Sequence, residues 1–181
     1  MHRRKLLDRL QVYRKTNSRE LYLVDRFVDF VDGNADCFDR SNLEGHVTGS
    51  AWLLSPDRRF VLLTHHKKLG RWLQLGGHSD GESDTLLVSQ REAEEESGLK
   101  VEPLDKNIFD IDIHEIPSGG DEPAHLHFDA RFLFKALDLR FAVSSESHDL
   151  RWVDLLNIEK FSNEWSVIRM RDKCLKKLGQ D

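Results

Sequence analysis

Cysteine is scarce in this chain of 181 residues, which contains only Cys37 and Cys174. The two lie far apart and lack the short spacings of zinc or redox motifs, so we expect a reducing compartment. No apolar run approaches the roughly 20 residues that a membrane-spanning helix needs. The sequence also shows no signal peptide. These absences predict a cytoplasmic protein with no membrane partner.

An excess of one charge is also missing, because the formal net charge at pH 7 is only -5. A balance this modest argues against non-specific nucleic-acid binding as the main task, so no stable nucleic-acid partner is expected.

The length of the chain suits one domain with a full core and is too short for two ordinary enzyme domains.

The segment Gly76–Leu99 combines a glycine turn with a glutamate-rich amphipathic helix. On a helix, Glu92, Glu95 and Glu96 fall within an arc of roughly 100°. Carboxylates crowded in this way repel one another unless a cation lies among them. A hard divalent ion fits best, and Mg²⁺, with Mn²⁺ as a substitute, commonly bridges substrate phosphates. The alternative is that the glutamates form an ordinary solvated helix face. For Glu94, which points away from the other three, a solvated position is what we expect.

The ends of this helix are marked in the sequence. Ser83 or Asp84 can supply the N-cap, and Gly98 can supply the left-handed residue that ends the helix. Arg91 lies one helical turn before Glu95, so it can pair with that carboxylate and hold it in a ligating rotamer.

The run Arg91–Leu99, REAEEESGL, resembles the second half of the Nudix box, Arg-Glu-apolar-x-Glu-Glu-x-Gly-apolar. The first half of the Nudix box is a glycine, five residues, a glutamate and then seven residues before the arginine. This chain departs from that spacing by one position. Counted from Gly77, the early glutamate comes one place too soon, at Glu82. Counted from Gly76, Glu82 is in register, but eight residues instead of seven separate it from Arg91. Glu82 is also the second partner open to Arg91.

The resemblance implies an α/β/α sandwich around a mixed β-sheet over residues 45–181, preceded by an N-terminal helical extension over residues 1–44. We expect the extension to pack on the sheet, and the alternatives are that it shapes a pocket or forms a homodimer contact. Residue patterns predict the main elements of the chain. These are helices over 3–14, 18–32, 155–161 and 163–178, a hairpin of Val47–Leu54 with Arg59–Thr64, and strands over Lys106–Ile116 and Ala124–Leu137.

The two long strands carry polar residues at alternate positions, which share one face of a strand. If the strands pair with these faces aligned, three histidines and several acids gather on one surface. Such a surface can bind phosphate, a base or a sugar, or a transition metal, since imidazole suits such metals. The alternative is a set of ordinary satisfied polar groups. The residues are Asp110, Asp112 and His114 on the first strand and His125, His127, Asp129 and Arg131 on the second.

The resemblance also implies a set of site residues. The predicted metal ligands are Glu92, Glu95 and Glu96 with the carbonyl of Gly76 or Gly77. The predicted catalytic set is Glu95, Arg91, which orients the glutamates, and Glu146 in a late polar loop as the base for water. The residue patterns, apart from the resemblance, predict substrate binding by His114, His125 and His127 and by Lys68 and Arg71. The last two belong to a basic loop, His65–Arg71, which suits a diphosphate but is equally open to being an ordinary solvated loop.

The activity implied is a magnesium-dependent hydrolysis of the P–O–P bond in a nucleoside diphosphate linked to another moiety. Water is the expected nucleophile, because no serine or cysteine lies in a nucleophile signature. A nucleoside triphosphate pyrophosphatase and a non-catalytic nucleotide or sugar sensor on the same fold remain open. An isomerase acting on an allylic diphosphate is disfavoured, because neither cysteine lies near a plausible site strand to donate a proton.

Overall fold

The computed structural model describes residues 2–67, 69–119, 123–143 and 147–179. The α-helices in these ranges are α1 (Arg4–Thr16), α2 (Leu21–Gly33), α3 (Thr85–Ser97) and α4 (Trp165–Leu178). The strands are β1 (Gly45–Leu54), β2 (Phe60–His66), β3 (Arg71–Leu73), β4 (Leu75–His78), β5 (Val101–Pro103), β6 (Asp110–Ile116), β7 (His125–Ala136) and β8 (Ser147–Asp154). Within the described part of the chain, no helix has the length and apolar character needed to cross a bilayer.

The strands form one sheet in which β3, β2, β1, β7 and β5 follow one another. Strand β4 pairs with β1, β6 with β7, and β8 with β2. The predicted hairpin of β1 and β2 is confirmed, since Leu54 pairs with Val61 in antiparallel register. The short strands β3, β4 and β5 have no counterpart among the predicted elements, because three or four residues are too few to show an alternating pattern.

Contacts divide the chain into two compact units. The first comprises Met1–Ser50, Gly76–Ser89 and Asp105–Phe132, and the second comprises Ala51–Leu75, Gln90–Leu104 and Leu133–Asp181. The elements β1, β7 and α3 each contribute residues to both units.

In the first unit, the N-terminal helices bury their apolar sides. The ring of Phe30 stacks on Phe128 of β7 at a centroid distance of 3.8 Å, and Phe27 meets the same ring edge-on at 5.5 Å. The guanidinium of Arg9 lies 5.3 Å from the ring centroid of Phe132. Aromatic contacts of this kind add to the gain from burial. Both helices were predicted, and they pack against strand residues as expected.

In the second unit, β2 lies between β3 and β8 and carries the buried side chains of Leu62 and Leu63. Helix α4 is preceded by a 3-10 helix over Leu155–Lys160, in place of the predicted helix over 155–161. Asp154 caps this short helix by accepting a hydrogen bond from the backbone N–H of Leu156 at 2.9 Å. A segment this short is more easily closed by the tighter 3-10 winding.

Candidate functional site

The turn before α3 is held together by its own acidic side chains. Asp80 adopts the left-handed conformation, with φ of 49°, and Gly81 follows it with φ of 86°. Of the two predicted N-caps, Asp84 fills the role, because its carboxylate accepts from the backbone N–H of Leu86 at 3.2 Å. Glu82 in turn accepts from the backbone N–H of Asp84 at 2.8 Å. Glu82 therefore supports the start of the helix.

Asp84 also joins the turn to the N-terminal helix α1. Its two carboxylate oxygens each accept a hydrogen bond of 2.5 Å, one from Lys5 and one from Arg9. Burial alone would raise the pKa of Asp84, but these bonds and the two positive charges outweigh burial and hold the pKa below its usual value. The carboxylate is therefore ionised throughout the neutral range.

The predicted glycine ligands Gly76 and Gly77 lie in β4. At Gly76 a Cβ atom would lie 2.3 Å from the Ser50 hydroxyl oxygen and 2.8 Å from the Cα of Ser50. A Cβ atom essentially never has contacts this short, so only glycine lets β4 approach β1 this closely.

The glutamates of α3 differ in their exposure. Glu96 is buried, with 7% of its surface exposed, Glu92 is half-buried, and Glu95 is exposed. Arg91 donates to the carboxylate of Glu92 at 2.8 Å. Glu94 forms an ion pair with Lys100 at 2.8 Å instead. Glu94 is itself half-buried, so exposure does not separate it from the other three glutamates.

The C-terminal end of α3 has the predicted geometry. Gly98 has φ of 68°, a conformation that favours glycine, and its N–H donates to the carbonyl of Glu94 at 2.8 Å. Leu86, Ala93 and Ser97 are buried and form the inward side of the helix.

The predicted basic loop lies partly in strands. His65 and His66 belong to β2, and Arg71 belongs to β3, where it forms an exposed ion pair of 3.1 Å with Glu164. Lys68 and Glu146, assigned from the sequence to phosphate binding and catalysis, both lie outside the described residues. Their roles stay predictions.

The polar faces of β6 and β7 are aligned, as the alternation predicted. The whole of β6 pairs in antiparallel register with the first seven residues of β7, from Ile116 with His125 to Asp110 with Arg131. Residues directly opposite each other are close neighbours in such a pair. The opposed residues are Asp110 with Arg131, Asp112 with Asp129, and His114 with His127.

Arg131 is buried at the centre of this surface. It donates to Asp129 at 2.7 Å, to Asp112 at 3.0 Å and to Asp110 at 3.1 Å. Burial alone would lower the pKa of Arg131, but the three carboxylates, Asp129 first among them, raise it. Three negative charges thus surround one positive charge.

Next to this network lies a histidine cluster, here meaning His46, His78, His114, His125 and His127. Measured between ring centroids, His127 lies 4.8 Å from His46, 5.0 Å from His78 and 5.1 Å from His125. His114 lies 5.4 Å from His127. The structure therefore adds two histidines that the sequence reasoning missed. An available signal was the alternation of polar residues His46, Thr48 and Ser50 along β1.

Three members of the cluster are arranged as potential metal ligands. Among the described residues, the donor atoms of His46, His125 and His127 all lie within 4.8 Å of one another. A cavity of about 170 Å³ borders the group and is lined by His46, His78 and His125 together with Arg40, Asn42, Leu43 and Pro123.

Burial changes the protonation of two histidines. It lowers the pKa of His127 to about 2 and that of His78 to about 4, with the neighbouring positive groups adding to the effect. Both rings are therefore neutral at neutral pH, the form in which an imidazole nitrogen carries a lone pair.

No protein-family model and no curated protein matches the sequence. Solved structures do match. The MutT protein of Methanosarcina mazei Go1 has a TM-score of 0.57 at 16% identity, covering 76% of this chain and 97% of that one. A NUDIX-family hydrolase from Clostridium perfringens has a TM-score of 0.54 at 22% identity, covering 71% and 95%. An ADP-ribose pyrophosphatase from Streptococcus suis has a TM-score of 0.52 at 18% identity, covering 73% and 90%.

These similarities establish the fold. The chain has the mixed sheet with flanking helices of the Nudix structures, so the predicted α/β class is confirmed, and a helical N-terminal segment precedes it.

Proposed function

We propose that this chain is a magnesium-dependent hydrolase that cleaves the P–O–P bond of a nucleoside diphosphate linked to another moiety. The fold supports this proposal, since the solved structures that share it include hydrolases of the Nudix family. One of them is named for ADP-ribose, a compound of the proposed substrate class. Fold alone does not determine function, so the residues of the site have to support the activity.

The observation that carries the proposal is that the glutamates of α3 differ in their burial and in their ion-pair partners. Glu94 forms an ion pair with Lys100, whereas Glu96 is buried in the helix face that also carries Ala93 and Ser97. Glu92 is held by Arg91. The donor set fits magnesium, which prefers carboxylate oxygens and needs only one or two of them besides water and substrate phosphates.

Glu92, Glu95 and Glu96 would hold the ion. When bound, the ion supplies positive charge to the diphosphate and a lower pKa for the attacking water. Arg91 acts as a positioning residue, because its hydrogen bond fixes the carboxylate of Glu92. The predicted contribution of the carbonyl of Gly76 or Gly77 remains part of the proposal.

In the proposed reaction, water attacks one phosphorus atom and the bridging P–O bond breaks. The bridging oxygen leaves with the second phosphoryl group, and a base takes the proton from water. Two phosphorylated products result. Glu146 remains the candidate base on its place in the sequence, and Glu146→Gln should shift the pH profile of turnover if it has this role.

The experiment that tests the function compares product release from a substrate panel with Mg²⁺ or Mn²⁺. The panel holds nucleoside triphosphates, nucleotide sugars, ADP-ribose and dinucleoside polyphosphates. We expect turnover of a linked diphosphate, reduced by roughly 100-fold or more in Glu95→Gln. The matched control is Glu94→Gln, which removes one charge from the same helix and should leave turnover unchanged.

Three outcomes would contradict the proposal. Turnover of triphosphates alone would favour the nucleoside triphosphate pyrophosphatase. Ligand binding without hydrolysis of any panel member would favour the sensor. Equal turnover by Glu95→Gln and the wild type would remove the glutamates from the mechanism.

A further inference from the structure

Two strands of the first unit bring three imidazole rings together. His46 comes from β1, and His125 and His127 come from β7, with their donor atoms within 4.8 Å of one another. We propose that these three histidines form a transition-metal site for Zn²⁺, built from residues other than the glutamates of α3. Imidazole nitrogen suits zinc and related ions, whereas magnesium prefers oxygen ligands.

The contacts of His125 fit a metal ligand. Its Nδ1 lies 2.9 Å from the carbonyl oxygen of Pro123. Because a carbonyl only accepts, Nδ1 carries the proton, and the lone pair of the neutral ring is on Nε2. A metal-bound histidine commonly donates its other N–H to a backbone carbonyl in this way.

The lone pair of His125 faces the Nε2 of His127 at 3.2 Å. Two nitrogens bound to a tetrahedral zinc ion at ~2.0–2.1 Å would lie roughly 3.3 Å apart. The observed distance therefore suits two ligands of one ion. It also suits a hydrogen bond between the two rings, and the experiment below separates these possibilities.

The position of His46 is fixed by the strand that carries it. Thr48 and Ser50 lie on the same face of β1 and donate to Asp129 of β7 at 3.1 and 2.8 Å. This buried pairing aligns the two strands. The His46 ring, 3% exposed, consequently lies 4.8 Å from the ring of His127, measured between centroids.

The surroundings favour a cation with an accessible coordination position. Asp129 follows His127 by two residues on the same face, and the network around Arg131 has two more negative than positive charges. Three histidines leave a tetrahedral ion one position for an exchangeable ligand. The 170 Å³ cavity beside His46 and His125 provides room for that ligand and a path for the ion.

The test measures zinc binding by the full chain after removal of metal with a chelator. Zn²⁺ is titrated against a chromophoric competitor, and Co²⁺ is used as a spectroscopic substitute that reports tetrahedral nitrogen coordination. The titration uses the variant Glu92→Gln/Glu95→Gln/Glu96→Gln, so that the proposed magnesium ligands cannot supply the site. We expect one equivalent of Zn²⁺ to bind.

Adding His127→Gln removes a direct ligand of the proposed site. We therefore expect zinc binding to weaken by roughly 100-fold or more, because even the loss of an outer-shell partner can cost up to about 100-fold. His46→Gln serves as a second variant, and the unfolding temperature without metal shows whether each variant is folded. The matched control is His148→Gln, an exposed histidine of β8 whose ring lies 5.5 Å from His65.

Zinc binding that survives both cluster variants, or that disappears in His148→Gln, would overturn the proposal. The absence of zinc binding to the variant Glu92→Gln/Glu95→Gln/Glu96→Gln would also overturn it. Failure of the hydrolase proposal would leave these readouts unchanged, since none of them depends on turnover.

Discussion

The glutamates of α3 and the histidine cluster are held in place by different means. Glu92, Glu95 and Glu96 lie within one and a half turns of a single helix, so the helix alone sets their directions. The members of the histidine cluster come from the four strands β1, β4, β6 and β7, and only the last two follow one another in the sequence. Only the pairing of those strands brings the imidazoles together.

This difference decides how each group responds to mutation. On α3, the carboxylates are engaged by close neighbours, as in the pairs of Arg91 with Glu92 and Lys100 with Glu94. Beside the histidine cluster, one buried arginine satisfies three carboxylates. Groups in a shared network are coupled, whereas changes at separate pairs add independently. We therefore expect single changes to cost more stability in the network than on the helix.

The sharpest test of this contrast is Arg131→Met. The change leaves the buried carboxylates of Asp110 and Asp129 without their counter-charge, so we expect a loss of about 3–5 kcal/mol in the free energy of unfolding. Urea denaturation measures it. Arg140→Met is the control, because Arg140 pairs with Asp138 at the surface and should change stability little. Equal losses in the two variants would contradict the expectation that the buried network contributes more stability than a surface pair.

A second test asks how tightly the strands of the first unit are packed. Gly76→Ala places a methyl group 2.3 Å from the Ser50 hydroxyl oxygen, and overpacking of this kind costs about 1–3 kcal/mol. Thermal and urea unfolding measure the loss. Gly119→Ala, where no atom lies within 4 Å of the new group, should be neutral. A neutral Gly76→Ala would mean that β4 can move away from β1 without cost.

The link between the N-terminal helix and α3 gives a smaller, pH-dependent effect. Asp84→Asn keeps a capping side chain but removes the charge that binds Lys5 and Arg9, so we expect a loss of roughly 1 kcal/mol at pH 7. The folded pKa of Asp84 lies below the unfolded value of about 3.9. Its contribution is therefore complete above that value and disappears as the pH falls through the folded pKa.

Unfolding of the wild type and Asp84→Asn from pH 7 to pH 3 follows this contribution, and the difference should shrink on the acid side. Asp8→Asn is the control, because the pair of Asp8 with Arg4 is largely exposed and is expected to contribute little. A difference that grows on acidification would contradict the assigned direction of the pKa shift.

The same contrast between local and long-range structure explains what the sequence could reveal. Elements set by neighbouring residues were predictable, including both N-terminal helices, the β1–β2 hairpin and the left-handed end of α3 at Gly98. The aligned polar faces of β6 and β7 were also predictable, because alternation alone defines a strand face.

The complete histidine cluster was not predictable from these patterns. His46 belongs to β1, and nothing local to that strand indicates that its polar face lies beside the histidines of β7. His78 follows the glycines of β4, whose close approach to β1 depends on Ser50 far away in the sequence. Strand order and register are long-range properties, so the missing ligand candidates became visible only with the sheet.

The smallest expected effect concerns Glu82, the residue displaced by one position from the Nudix pattern. Its carboxylate accepts from the backbone N–H of Asp84. Glu82→Ala removes that acceptor and should cost about 0.5–1 kcal/mol of unfolding free energy, the usual worth of one such bond. Glu82→Gln keeps an acceptor oxygen and is the matched control. If Glu82→Gln loses turnover while its stability stays intact, Glu82 acts in the reaction, and the carboxylates of the site extend beyond α3.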